Sequence, residues 1–114
     1  GNVFISVKNE DKPEALGVAR ELIDMGFKLY STQGTAHYLR QNGLEVTVLF
    51  KIFEGGRPNV ADFIRNDQMQ LIINTPLGLI PHEDENEMRR LAIQHNVCMM
   101  ITMMGAHAAV EGIR

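Results

Sequence analysis

Short apolar runs alternate with amphipathic stretches five times along this chain, and that alternation constrains its fold more than any other feature. Residues 3–7 (Val-Phe-Ile-Ser-Val), 27–30, 46–50, 71–73 and 97–102 read as strands. Residues 13–25, 35–41, 83–95 and 105–113 read as helices, as does a short segment that Asn59 can cap and that runs through Arg65. Asp11 and Pro13 suit the start of the first helix, Gly26 suits its end, and Asn42-Gly43 closes the second. A strand followed by a helix, repeated, predicts an α/β fold of three layers. The expectation is Rossmann-like, a five-stranded, mostly parallel sheet with helices on both faces. No internal repeat, linker or low-complexity tract interrupts the pattern. With 114 residues and 45% apolar content, the expectation is one domain over residues 1–114 with one core.

Ligands of an open parallel sheet bind outside the carboxyl ends of the strands, so the loops that follow the strands carry the functional reading. The most informative is Ser31-Thr32-Gln33-Gly34-Thr35-Ala36, where a strand hands over to a helix. An anion at such a turn meets unpaired backbone N–H groups and the positive end of the helix dipole. Thr32 and Thr35 add hydroxyl donors, and Gly34 permits close backbone approach or a positive φ. Ser and Thr are also ordinary N-caps, so this segment alone leaves capping and anion binding both open. The other loops supply Lys8-Asn9-Glu10-Asp11-Lys12, Lys51 and Asn74-Thr75. A loop lysine is ordinarily just solvated. Lysines, threonines and an asparagine meeting on one edge beside a helix N-terminus describe an anion site, with phosphate the group it suits best.

Several function classes fall away on composition. A net charge of −3 argues against a nucleic-acid binder, which shows a basic stripe. No run approaches the roughly 18 consecutive apolar residues of a membrane span, and Gly1-Asn2-Val3 opens without a charged-then-apolar signal pattern. The expectation is a soluble, cytoplasmic domain. Cys98 is the lone cysteine and stands in Val97-Cys98-Met99-Met100-Ile101, which reads as a buried, inert thiol. His37, His82, His95 and His107 lack metal-ligand spacing, so no metal is expected. Met99, Met100, Met103 and Met104 read as core filling, with a subunit or interdomain surface as the alternative. The run from Glu83 to Arg90 reads as a solvated helix face, Glu85 and Arg89 standing i, i+4.

The pieces taken in order make a more specific pattern. Val7 is followed by Asp11-Lys12, Gly26-Phe27, Ser31-Thr32-Gln33-Gly34-Thr35-Ala36, Lys51-Ile52, Glu54-Gly55, Arg57-Pro58-Asn59, Ile72-Ile73-Asn74-Thr75 and Arg89-Arg90. Over nearly its whole length the chain resembles the methylglyoxal-synthase-like domain that ends the large subunit of carbamoyl phosphate synthetase, a ligase of pyrimidine and arginine biosynthesis. The resemblance implies a regulatory domain of a far longer polypeptide, not itself an enzyme and without a cofactor of its own. Implied effectors are nucleotides such as UMP or IMP, with ornithine and N-acetylglutamate in parts of the family. Implied protein partners are the remainder of the large subunit, the glutaminase small subunit and a second copy of the chain. Lys12, Thr32, Gly34, Thr35, Lys51, Asn74 and Thr75 match positions that hold the effector's phosphate or line its pocket. The chain departs from the family at Pro76, where a second hydroxyl residue often follows Asn-Thr. It departs again at Phe50, where Asn often precedes the lysine, and in the extra glycine of Gly55-Gly56.

Two readings compete with effector binding. The enzyme methylglyoxal synthase, to which the domain is similar, acts on dihydroxyacetone phosphate and needs a carboxylate base. Arg57 follows Gly55-Gly56 where that enzyme family carries an aspartate, and Thr75 stands at a further acidic position, before Pro76-Leu77. His82 and Asp84 near the rim are the remaining candidates for such chemistry, against an ordinary role in capping and surface solvation. The other competitor is a docking domain whose pocket binds nothing, a reading that Pro76 and Phe50 favour and that Thr35, Lys51 and Asn74 oppose.

Overall fold

A computed structural model describes residues 1–50, 56, 59–75 and 82–113. Five strands, β1 (Asn2–Ser6), β2 (Lys28–Ser31), β3 (Val46–Val48), β4 (Leu71–Asn74) and β5 (Cys98–Met100), form one sheet in the order β3-β2-β1-β4-β5. All four pairings are parallel. The helices are α1 (Lys12–Asp24), α2 (Gln33–Gln41), α3 (Val60–Arg65), α4 (His82–Gln94) and α5 (Met103–Ile113). The expected α/β architecture is therefore present, and the sheet is wholly parallel.

A parallel sheet covered on both faces needs strands that are apolar on both faces, and β1 illustrates it. Val3 and Ile5 point into a core with Ala15, Val18, Ala19 and Leu22 of α1, Ala36 and Leu39 of α2, and Met103, Ala106 and Val110 of α5. Phe4 points the other way, with Ile72, into a core with Val60, Ala61 and Ile64 of α3 and Met88, Leu91 and Ala92 of α4. The period of two along the strand thus divides one sequence run between two cores.

Four helices stop in the same way. At the end of α1 the Gly26 N–H donates to Ile23 O (2.9 Å) and the Phe27 N–H to Leu22 O (3.0 Å), with Gly26 at φ 93°. Gly43 (φ 87°) ends α2 with the same pair of bonds. Asp67 (φ 55°) and Asn96 (φ 57°) do so for α3 and α4 without glycine. This reversal needs a left-handed residue, and short polar side chains tolerate that conformation next best. Asn59 caps α3 reciprocally: its side chain accepts from the Asp62 N–H at 3.2 Å, and its own N–H donates to the Asp62 carboxylate at 3.1 Å. Thr102 accepts from the Gly105 N–H at 3.0 Å, which explains why α5 begins at Met103 rather than at the expected Gly105.

Three expectations need correction. Cys98 is exposed, because β5 is an edge strand and not a central one. The methionine cluster is split: Met103 is in the core, Met99 and Met100 are half-buried, and Met104 is 82% exposed. The acidic start of α4 is not a uniformly solvated face, since Asp84 and Glu85 are buried, and the ion pair formed is Arg90 with Glu87 rather than Arg89 with Glu85.

Ile72→Ala, which empties a fully buried site, is expected to cost about 3–4 kcal/mol in urea unfolding. Asn59→Ala should cost about 1 kcal/mol through loss of the cap. Gly26→Ala should cost about 1 kcal/mol, whereas Asn96→Gly should leave stability equal or raise it.

Candidate functional site

The chain places β1, β2 and β3 outward in one direction and then returns to place β4 and β5 on the other side of β1. The strand order therefore reverses between β1 and β4, and a crevice opens there at the carboxyl ends. In register, Ser6 of β1 stands beside Asn74 of β4, and Ile5 beside Ser31 of β2. The last residues of three central strands thus meet at one place.

Hydroxyl groups tie that edge together. Thr32 occupies the N-cap position of α2, but its side chain does not cap the helix. Instead its Oγ1 lies 2.9 Å from Ser6 Oγ, both groups buried. Thr35, fully buried, accepts from the Val7 N–H at 3.2 Å and can donate to the Val7 carbonyl at 3.5 Å. Thr75 accepts from the Lys8 N–H at 2.9 Å, and its own backbone N–H donates to Ser6 O at 3.1 Å. These bonds fix the start of the β1–α1 connection against both α2 and the end of β4.

The Ser6–Thr32 pair holds two hydroxyl protons and its mutual bond consumes one, so one has no acceptor among the described residues. Thr75 acts as acceptor toward Lys8, and its proton too has no acceptor among the described residues. The first backbone N–H groups of α2, those of Gln33, Gly34 and Thr35, have no intrahelical acceptor, and the Thr32 side chain takes none of them. Gly34 is half-buried in helical backbone rather than at positive φ, so of its two expected uses only close approach stands. Asn74 is 2% exposed. Lys12 opens α1 after a 3-10 turn at Asn9–Asp11 and is half-buried, as is Lys8. Glu10 and Asp11 share that turn. Lys51, Gly55, Arg57 and Pro76 lie outside the described residues. Thr32, Gly34, Thr35, Asn74 and Thr75 are therefore brought to one edge, and Lys12 opens the helix that follows it.

Sequence reasoning missed Ser6. Its only signal was a hydroxyl inside the apolar run Val3-Phe4-Ile5-Ser6-Val7. The histidines have other partners: His95 Nδ1 is 3.0 Å from Asp67 and His107 Nε2 is 2.7 Å from Glu14. His82 is exposed at the start of α4. Among the described residues no group of three or more His, Cys, Asp or Glu gathers for a metal, and no helix is long and apolar enough to cross a membrane. A hollow of about 250 Å³ lined by Phe27, Lys28, Tyr30, Glu45 and Thr47, among others, lies over the starts of β2 and β3, at the opposite end of the strands.

Both the sequence and the fold are shared with known proteins. The pattern defining the MGS-like domain matches residues 14–101. The chain belongs to the MGS-like domain family. It is 44% identical, over its whole length, to the carbamoyl phosphate synthase large chain of Nostoc sp., of which it covers 10%. It is 41% identical to the carbamoyl phosphate synthase large chain, C-terminal section, of Aquifex aeolicus, again over its whole length and 21% of that relative. The chain thus spans between a tenth and about a fifth of the length of these relatives. The crystal structure of methylglyoxal synthase from Elizabethkingia anophelis superposes with a TM-score of 0.72 over 96% of this chain and 76% of that one, at 15% identity, a likeness of fold.

Thr35→Val removes the acceptor of a buried Val7 N–H and should cost about 1–3 kcal/mol. Thr35→Ser keeps the hydroxyl and should recover most of it. Faster hydrogen exchange at the Val7 amide in the valine variant, and not in the serine variant, checks the assignment.

Proposed function

We propose that this MGS-like domain is the allosteric effector-binding part of a carbamoyl phosphate synthetase large chain, and that a phosphorylated nucleotide such as UMP or IMP binds at the carboxyl edge of its sheet. One observation supports the reading above the rest: unspent donors from α2, Thr32 or Ser6, and Thr75 converge on the β1–β4 crevice. A phosphate offers several acceptor oxygens and is suited by such a set of preformed N–H and O–H donors. Lys12 and Lys51 supply the charge. Thr35 holds the wall of the site through Val7 and offers its backbone N–H. The relatives from Nostoc sp. and Aquifex aeolicus, which match over the whole chain, are large chains of the synthetase. Regulation then requires that the effector bind one state of the synthetase more tightly than another, a coupling of about 1–3 kcal/mol. In this role the domain performs no chemistry of its own, and Arg57 after Gly55-Gly56 supplies no carboxylate base.

Calorimetric titration of the chain with UMP, IMP, ornithine and dihydroxyacetone phosphate tests this reading. The expected result is saturable heat with a nucleotide, its affinity falling about tenfold or more in Lys51→Ala and in Lys12→Ala through loss of a charge-assisted bond. In the intact synthetase Lys51→Ala should abolish the effector response and leave basal activity. Turnover of dihydroxyacetone phosphate would favour the enzyme instead, and silence toward every nucleotide the docking domain.

A further inference from the structure

Phe50 stands two residues beyond β3 and is 55% exposed, the one aromatic side chain among the described residues that is more than half in solvent. A single exposed apolar residue is ordinary on a protein surface. Phe50 differs in being held, and in where it is held. Its backbone forms a parallel bridge with Asn59, the N-cap of α3, so the chain comes back alongside it before entering that helix. Asn59 Nδ2 donates to the Gly56 carbonyl at 3.2 Å, and a Cβ built on Gly56 would collide with Cβ, Cγ and Cδ1 of Phe50. Only glycine lets the backbone lie this close to the root of the ring. Main chain tied to α3 therefore fixes the base of the side chain, while more than half of its surface stays open.

The Leu49 N–H donates to Ser31 O at 2.9 Å, which carries the β2–β3 pairing past its last strand pair and brings Phe50 to the level at which α2 begins. Val46 and Val48 face the core that holds Ala36 and Leu39 of α2, and Leu49 faces the other core. The alternation returns Phe50 to the side of α2. It thus lies about one strand spacing, roughly 5 Å, from the turn that presents the first N–H groups of that helix. We propose that Phe50 is the platform on which the base of the bound nucleotide stacks while its phosphate takes the donors of α2 and the crevice. The proposal rests on the nucleotide reading of this edge and assigns the half of the ligand that those donors leave unread. Hydroxyl and N–H donors recognise the phosphate and would take any small phosphate monoester that fits. Every base has a π-face, so an aromatic platform separates nucleotides from sugar phosphates rather than one base from another.

Calorimetric titration of the 114-residue chain with UMP, IMP and ribose 5-phosphate, which keeps sugar and phosphate but lacks the base, tests the platform. A nucleotide should bind about tenfold or more tighter than ribose 5-phosphate. Phe50→Ala and Phe50→Leu should each erase that margin and leave the affinity for ribose 5-phosphate unchanged. Leucine keeps an apolar side chain beside Gly56 and removes the π-face, so it separates stacking from support of the loop. Gly56→Ala, which displaces the ring without removing it, should narrow the margin in the same selective way. The chain has no tryptophan, so Phe50→Trp adds a lone reporter: it should keep the margin, and its fluorescence should be quenched by the nucleotide and not by ribose 5-phosphate. An undiminished margin in Phe50→Leu, or an equal loss for both ligands, would overturn the platform while the nucleotide reading stood. A parent chain that bound neither UMP nor IMP would remove that reading, and the platform with it.

Discussion

The backbone at the end of β1 must find hydrogen-bond partners where the ladder stops, and the site depends on how it does so. β1 is flanked by strands on both sides and by helices on both faces, so its last groups are shut away from water. A buried N–H without an acceptor costs about as much as a lost hydrogen bond. Val7 N–H is accepted by Thr35 and Lys8 N–H by Thr75, while Ser6 O is taken by the Thr75 N–H. The first draws on α2 and the other two on Thr75, just past the end of β4. The same hydroxyls that satisfy β1 therefore hold α2 and the end of β4 at fixed positions around the crevice, which is how a packing requirement becomes a preorganised donor set.

Hydroxyl side chains suit this double duty because each can accept and donate at once. A valine at 35 or 75 would keep the shape and strand the backbone; a carboxylate would satisfy the backbone but repel an anion. Threonine does the first job and leaves the second possible at Thr75. The helix N-terminus gains likewise from the Ser6–Thr32 pair. Because Thr32 turns toward Ser6 instead of capping α2, it does not occupy the N–H groups of the first turn, so they stay available to a ligand.

Much of this was legible in the sequence. The strand-helix alternation located all five strands and five helices to within a few residues, because burial on both faces of the sheet leaves long apolar runs and each helix a clear stripe. Gly26 and Gly43 marked two helix ends, since glycine is the usual residue at positive φ. Asp67 and Asn96 marked two more and went unread, because a polar residue in a loop has many other reasons to be there. Cys98 was misread for a related reason. An apolar strand sequence says that side chains want burial, but strand order decides which strands have neighbours, and order is set by long-range pairing. Thr32, Thr35 and Thr75 were found by residue type; their bonds to Ser6, Val7 and Lys8 span 26, 28 and 67 positions of sequence and leave no local trace.

In the proposed role, the balance of charge around the crevice would decide how it recognises an anion. The β1–α1 connection carries Lys8 and Lys12 but also Glu10 and Asp11, so its formal charges cancel, and the chain as a whole is at −3. Lys51, after β3, adds one positive charge to that edge of the sequence. Such a surface sets up little long-range attraction for an anion, and what field it has is screened within about 8 Å at physiological salt. Under that proposal, selectivity for a phosphate would arise at contact, from directional N–H and O–H donors whose positions the fold has already fixed. Such an arrangement would suit the proposed discrimination among small phosphorylated molecules better than the collection of any passing anion: fixed donors reward the correct geometry, whereas a basic patch rewards charge alone.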